Sequence, residues 1–550
     1  MSITLAQIYA GLRYADGARW ADPVITYSLP TTGSVWSPSA YGQGSEPLDA
    51  AYGVLDAAQR SQFTAALTAW SRVTGIMFME TPDNAGMSGQ IRVAFTDLAN
   101  QDSAGAAAYA YTPPPPGFGI GAKNGDIWID DAHKTADASL GSFLYSTFLH
   151  EIGHTLGLKH SFEGTTLPAE FDNLRYTVMS YTDAPDGTLR TFNQQGSTLF
   201  ANGVTVNPST PMLLDIIAIQ GIYGASRGAA TGADSYTFDE SRPILMTLFD
   251  TGGVDTLDLS SHTRASSIDL TPGAFSSIAI FSVQDQIAFW TARFPGFSSF
   301  IASFLDKPDT YTWRNNVATS QETTIENVVG GAGADTIIGN AASNSLSGGA
   351  GADSISAGAG ADTVVGGAGG AAGNYLRGDD GDDVLMGGGD FDDINGNMGN
   401  DTVSTGAGND FCVGGRDNDL LFGEDGADFV YGNLGNDTCH GGSGDDIIRG
   451  GQGNDTLSGG AGADFVSGDR GDDTMIGGAG ADNFHSSNEA GIDRVLDFSI
   501  AEGDRVQLDP GTTFSVSQVG ADTVISLTGG QVILVGVSMS SLLSTSIFGF

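Results

Sequence analysis

A nine-residue period, G-G-x-G-x-D-x-U-x with U apolar, runs through residues 330–485 and leaves that part of the chain little choice of fold. Gly330-Gly331-Ala332-Gly333-Ala334-Asp335-Thr336-Ile337-Ile338 is the first clear copy. Three units follow in register, with Asn344, Asp353 and Asp362 at the sixth position, and an irregular stretch at 366–377 then shifts the phase by three. Twelve uninterrupted units come next, whose sixth positions are Asp383, Asp392, Asp401, Asp410, Asp419, Asp428, Asp437, Asp446, Asp455, Asp464, Asp473 and Asp482. In all twelve, U is apolar, from Leu385 through Cys412 and Cys439 to Phe484.

The chemistry of the period follows from its residues. Glycines let a loop take positive φ and present its carbonyls. The aspartate adds a charged oxygen, and the next residues make a short strand with U inward. Two units close one turn of a parallel β-roll, so loops 18 residues apart can hold a hard cation between carboxylate and carbonyl oxygens. Asp335, Asp353, Asp362 and the twelve aspartates above are therefore expected to bind Ca²⁺. Without the ion the stacked carboxylates repel, and the coil is not expected to fold.

A second feature, His150-Glu151-Ile152-Gly153-His154-Thr155-Leu156-Gly157-Leu158-Lys159-His160, carries chemistry. Positions i and i+4 share a helix face, so His150 and His154 can meet one metal. Gly157 can end the helix with a positive φ and let His160 return as a third ligand. Three protein nitrogens leave Zn²⁺ an open position for water, and Glu151 stands within reach of that water without being a ligand. The pattern H-E-x-x-H-x-x-G-x-x-H is that of the metzincin metalloproteases.

Composition sets the outer bounds. The formal charge is −43, from 22 basic and 65 acidic residues, so no nucleic-acid partner is expected. Glycine is abundant, at 80 of 550 residues, which suits a cation-dependent coil. Cys412 and Cys439 cannot make a disulfide framework; three units apart, they are expected on opposing sheets as small buried hydrophobes, with a pairing left open. No apolar run of 18 residues suggests a membrane span, and the first residues lack the charged and apolar regions of a Sec signal.

The rest of the N-terminal half reads as mixed α and β. Strands are expected at 24–29, 75–80, 91–95, 106–111 and 125–130. Residues 57–73 carry Phe63, Leu67, Trp70 and Val73 at helical spacing, and Phe143, Leu144, Phe148, Ile152 and Leu156 form the buried stripe of the metal-site helix. Downstream lies Tyr176-Thr177-Val178-Met179-Ser180-Tyr181.

With that segment the chain resembles the serralysins, the metzincin branch that carries C-terminal RTX repeats. The resemblance implies that Met179 forms a hydrophobic floor under the zinc. It makes Tyr181 a displaceable zinc ligand and transition-state donor. It places residues 106–111 at a sheet edge that pairs with substrate, and 211–220 as the helix closing the catalytic domain. It makes Asp250, Gly252, Asp255, Thr324 and Glu326 further calcium ligands. The fold expected is an α+β metzincin domain followed by an all-β parallel roll with a C-terminal β cap. The expected parts are a short leader at 1–20, a zinc protease domain at 21–225, and a linking β segment at 226–329. That segment holds an insertion, 282–320, expected as an exposed loop. The roll at 330–485 follows. Residues 486–550 begin a different β segment carrying a type I secretion signal, although Ser546 stands where the family often has an acidic residue. The implied activity is that of a secreted bacterial zinc endopeptidase with one catalytic zinc and several structural calcium ions. It would act as a monomer on protein or peptide substrates, with the type I secretion apparatus and a small protein inhibitor as further partners. The alternative is a non-enzymatic repeat protein of the surface or adhesin type that keeps a relic protease domain.

Overall fold

The computed structural model describes the chain except residues 1–2, 38–39, 42–45, 85–86, 101–105, 227, 229–230, 488–489, 543–547 and 550. It forms two units. One comprises residues 1–233, 240–253 and 272–323, and the other residues 234–239, 254–271 and 324–550.

The first unit begins with α1 (Leu5–Leu12), opened by a Thr4–Gln7 capping box and burying Ile8 and Leu12. A five-stranded sheet follows, built from β1 (Val24–Ser28), β2 (Met77–Glu80), β3 (Ile91–Thr96), β4 (Ala108–Ala110) and β5 (Asp126–Asp130), in the order β2-β1-β3-β5-β4. All pairs are parallel except β4–β5, which puts β4 at the edge. Helix α2 (Ala57–Val73), capped by Asp56, buries the expected Phe63, Leu67, Trp70 and Val73. It packs on α3 (Phe143–Thr155), with Phe63 edge-on to Phe148 at 5.4 Å and the Trp70 indole donating to the Leu149 carbonyl at 3.0 Å. In α3 the expected stripe is buried from Leu144 onward, while Phe143 at its first turn stays half exposed. After α3 come a hairpin, β6 (Thr188–Gln195) and β7 (Thr198–Thr205), and helix α4 (Leu213–Tyr223), against which α1 packs.

Residues 5–20 are knit into this unit. The Trp20 indole donates to the Thr155 carbonyl at 2.7 Å, and Arg13 bridges Leu158 in antiparallel fashion. Segment 282–320 corrects an expectation: its first part, to residue 305, is helical and its end carries a short strand at 317–319, where an exposed loop was expected. Helices α5 (Val283–Arg293) and α6 (Ser298–Leu305) carry Ile287, Trp290, Phe294, Ile301, Phe304 and Leu305 at helical spacing, and this stripe closes on Phe192 and Leu199 of the hairpin. The apolar face needs cover, and the hairpin supplies it.

The second unit is a coil of two parallel sheets. Strands pair with those 18 residues away, as Phe429↔Ile447 and Thr456↔Thr474 illustrate. Every U residue from Leu385 to Phe484 is at most 1% exposed, Cys412 and Cys439 among them as free thiols in opposite sheets. At the phase shift the offset becomes 21, as in Ser354↔Tyr375 and Thr363↔Val384, and a short 3₁₀ turn at Gly370–Ala372 absorbs the three extra residues. The coil also runs past Phe484, which corrects the expectation of a different segment there. Residues 491–495 and 505–508 continue the two sheets in parallel register with Val495 and Val506 inward. Strand chemistry and an inward apolar residue suffice for another turn even where the loops lengthen. An antiparallel pair, 515–519 with 522–526, then ends one sheet beside 530–534. The expected secretion signal falls largely on residues 543–547 and 550, outside the described residues.

Candidate active site

Helix α3 delivers three of the expected residues in one turn and a half. His150, Glu151 and His154 lie on it, all at most 7% exposed. Gly153 between them keeps the helix thin, since a Cβ there would stand 2.7 Å from the Met179 sulfur. Gly157 ends the helix at φ +98°, where a Cβ would collide with the Ala18 carbonyl at 2.2 Å. The chain turns there, and His160 comes back. The Nε2 atoms of His150 and His154 are then 3.2 Å apart, and those of His154 and His160 are 3.1 Å apart.

The protonation of these rings is set from behind. Nδ1 of His150 lies 2.6 Å from the Val178 carbonyl, and Nδ1 of His154 lies 2.8 Å from the Leu158 carbonyl. A carbonyl only accepts, so both Nδ1 atoms donate and both Nε2 lone pairs face inward. Burial, opposed by the Val178 contact, lowers the His150 pKa to about 4. Burial, and then the neighbouring His150 and His160, push His154 well below the usual histidine range. Neutral imidazoles with converging lone pairs are the metal-binding form. Ligand nitrogens about 2.0–2.1 Å from a tetrahedral zinc are about 3.3–3.4 Å apart, close to what these rings already adopt. The residues present fit the ion.

Around the trio, Glu151 is 3% exposed, its Oε2 has no partner among the described residues, and burial raises its carboxyl to about 8. Tyr181 places its hydroxyl 2.8 Å from His160 Nε2 and stacks on His150 at 5.4 Å. Met179 is fully buried, against the Gly153 face of α3.

Three supporting residues escaped the sequence reading. Glu163 holds His160 through Nδ1 at 2.7 Å. Lys159 is buried, and its ammonium donates to the carbonyls of Gly11, Glu163 and Thr165, tying α1 to the loop that carries His160. Asp215, on α4 and fully buried, accepts from the Thr177 hydroxyl and from the backbone N–H groups of Val178 and Met212. It thereby fixes the peptide whose carbonyl orients His150. Sequence spacing could not reveal Lys159 and Asp215, because each acts through a contact between distant segments, whereas Glu163 sits three residues from His160 and only the turn between them brings it to the ring.

The repeat unit presents a different cation chemistry. Oδ1 of each aspartate accepts the backbone N–H of the residue one coil earlier, for example Asp437 N–H to Asp455 Oδ1 at 2.8 Å. Oδ2 of every repeat aspartate from Asp353 to Asp482 is buried without a hydrogen-bond partner among the described residues. Except at Asp362 and Asp410, where Ala357 and Thr405 take that place, it lies against a glycine five residues upstream, where an added Cβ would meet it at 2.1 Å for Gly450 and Asp455. At Gly432, Gly441 and Gly459 the same added Cβ would come within 2.7 Å of a carbonyl from the next coil. A buried, unpaired carboxylate oxygen beside stacked carbonyls is the donor set a calcium ion takes. Burial raises Asp419 to about 8, with Asp401, Asp437 and Asp417 adding to it, and raises Asp383 and Asp455 to about 7.

Asp335 differs, since both its oxygens accept from N–H groups, of Ser266 and Gly331. Asn374 fills the sixth position across the phase shift, and Asp493 and Asp504 extend the buried acidic column beyond Asp482. The three were missed because the motif around them is broken. Of the remaining expected calcium ligands, Asp250 and Gly252 lie in the first unit, where the Gly252 N–H donates to Asp250 at 3.0 Å. Asp255, Thr324 and Glu326 lie in the second, where Glu326 accepts from the Asp255 N–H at 2.8 Å.

Comparison with known proteins agrees with these two chemistries. The Matrixin family model matches residues 49–177, the Peptidase M10 serralysin C terminal model matches 214–289, and the RTX calcium-binding nonapeptide repeat matches in six stretches between 323 and 484. A serralysin of Photorhabdus laumondii is 30% identical over 311 residues, covering 52% of this chain and 53% of that protein. A serralysin of Proteus mirabilis is 30% identical over 303 residues, covering 50% and 53%. Metallopeptidase AprA of Pseudomonas marginalis is 29% identical over 351 residues, covering 59% and 61%. The chain thus spans about half the length of the first of these curated relatives. Together the matches support a serralysin-type metalloprotease with RTX repeats.

Proposed function

We propose that this protein is a secreted, calcium-dependent zinc endopeptidase that hydrolyses extracellular proteins. The observation that carries the reading is the convergence of the Nε2 atoms of His150, His154 and His160 beside Glu151, whose buried Oε2 has no partner among the described residues. Zinc held by His150, His154 and His160 supplies Lewis acidity, polarising a carbonyl and making water acidic near pH 7. The chain's own residues do the rest. Edge strand β4 offers unpaired backbone groups to an extended peptide. Glu151, buried and raised toward neutral pH by that burial, takes the proton of the attacking water and returns it to the leaving amine. The Tyr181 phenol swings from His160 to donate to the developing oxyanion.

Calcium bound along the repeat aspartates would neutralise the buried acidic column and let the coil fold after export through a type I apparatus. The test is casein hydrolysis by protein loaded with Zn²⁺ and millimolar Ca²⁺, beside Glu151→Gln with its zinc content measured. Turnover lost in the variant with one zinc retained supports the reading. Zinc bound without turnover in the parent would turn it toward a repeat protein that keeps its metal site as a relic.

A further inference from the structure

A cavity of about 380 Å³ opens beside Glu151 in the first unit. It runs along α3 from His150 past Ser146 to Phe143, about 10 Å of helix. Leu174 and Val178 give it an apolar wall. Its polar residues include Asp183, Thr205 and Asn207, the last two from the end of β7 and the segment that follows. We infer that this cavity receives the side chain next to the scissile bond, and that Asp183 makes it select lysine and arginine. The inference rests on the peptidase reading above and names the substrate class of the same site.

Three observations support it. First, apart from Glu151, which the chemistry uses, Asp183 is the only carboxylate on the lining, and no lysine or arginine lines it among the described residues. A long side chain with an apolar stem and a cationic tip fits such a wall: the stem lies on Phe143, Leu174 and Val178, and the tip meets the acid. Second, Asp183 is held in place. The Thr205 hydroxyl donates to its Oδ2 at 3.0 Å, and the Leu174 N–H donates to the neighbouring Thr182 carbonyl at 2.9 Å. Third, the hairpin that supplies Thr205 is braced. The Arg190 guanidinium pairs with Asp309 at 2.6 Å, and Phe192 and Leu199 pack on Ile301 and Leu305. The hairpin that carries Thr205 is thus tied to the 301–309 segment by an ion pair and an apolar cluster.

The experiment digests a random-sequence peptide library with the zinc- and calcium-loaded full chain, and sequences the products at both positions flanking each cut. Lysine and arginine are expected to dominate one of the two positions. Asp183→Asn should lower the ratio of kcat/KM for a basic over a matched neutral peptide about two- to fivefold, the size of one solvent-exposed charge pair. Asp183→Lys should turn the preference toward acidic residues. Cleavage with no basic preference, or an unchanged profile in Asp183→Asn, overturns the inference and leaves the peptidase standing. No cleavage of any peptide by zinc-loaded protein overturns the peptidase reading and the inference with it. Asp183 is exposed, so its variants are expected to fold; circular dichroism matching the parent checks this.

Discussion

Asp215→Asn isolates one buried charge at the base of the candidate site. The carboxyl is fully buried, and burial raises its pKa from 3.8 to about 7 against the pull of three donors. Because the folded-state pKa lies above the unfolded-state one, protonation favours folding. The stabilisation is complete below about pH 4 and is lost as the pH climbs through 7. Integrated between about pH 5 and pH 8, a carboxyl with these two pKa values removes about 2–3 kcal/mol from the unfolding free energy. Asparagine has the same shape and does not titrate. Its oxygen can keep the Val178 and Met212 N–H bonds while its amide donates to Thr177. The stability of the parent relative to Asp215→Asn should therefore fall by about 2–3 kcal/mol across that interval. All six tryptophans (Trp20, Trp36, Trp70, Trp128, Trp290 and Trp313) lie in the first unit. Urea unfolding followed by tryptophan fluorescence thus reads this unit without interference from the repeat aspartates. Parallel pH profiles, agreeing within about 0.5 kcal/mol, would refute the assignment of a raised pKa.

Three further outcomes are expected. Tyr181→Phe should lower kcat about 10²-fold with KM little changed, as for loss of one oxyanion donor, and steady-state kinetics on a casein-derived peptide reads both. Lys159→Met leaves the Gly11, Glu163 and Thr165 carbonyls without their shared donor and should cost about 2–4 kcal/mol, seen by the same fluorescence melt, with weaker zinc retention measured by competition with a chelator. Calcium binding should release protons near neutral pH, since carboxyls such as Asp419 and Asp383 are raised by burial in the calcium-free coil; for the same reason the calcium-free coil should gain β structure on acidification and lose it as the pH rises through about 6–8. Unbuffered titration with calcium and far-UV circular dichroism check the two halves of that statement, and a pH-independent calcium-free spectrum contradicts it.

What could be read in advance was whatever has a fixed interval in sequence. The α2 stripe, the histidine triplet and the U positions all repeat at spacings that local geometry imposes, so their burial and grouping were legible. Asp215 and Lys159 act on the same histidines through partners that no interval predicts, as Thr177 with Asp215 and Gly11 with Lys159 show. The β6–β7 hairpin did carry a signal, the turn Gln195-Gly196-Ser197 between two Thr- and Phe-containing runs, and it matters because it shapes the cavity beside Glu151. In 282–320 the aromatics obscured a helical period that the structure makes plain. The repeat search stopped at Phe484 because the glycines stop there, whereas the coil needs only an inward apolar residue and a buried acid, which Val495 with Asp493 and Val506 with Asp504 provide.

The 18-residue ladder of aspartate oxygens and backbone N–H groups has a kinetic consequence. Each coil finds its partner at one short, constant separation, as Asp419 with Asp437 and Asp446 with Asp464 do, so no step of assembly has to close a long loop. Growth is a moving front, in which one completed coil is the template for the next and the cost of starting is met once. A bulky residue at Gly450, whose Cβ would strike Asp455, would stop that front without unravelling the coils already behind it. Damage to this half of the molecule should therefore register as shorter order, counted in coils, and not as a softer whole.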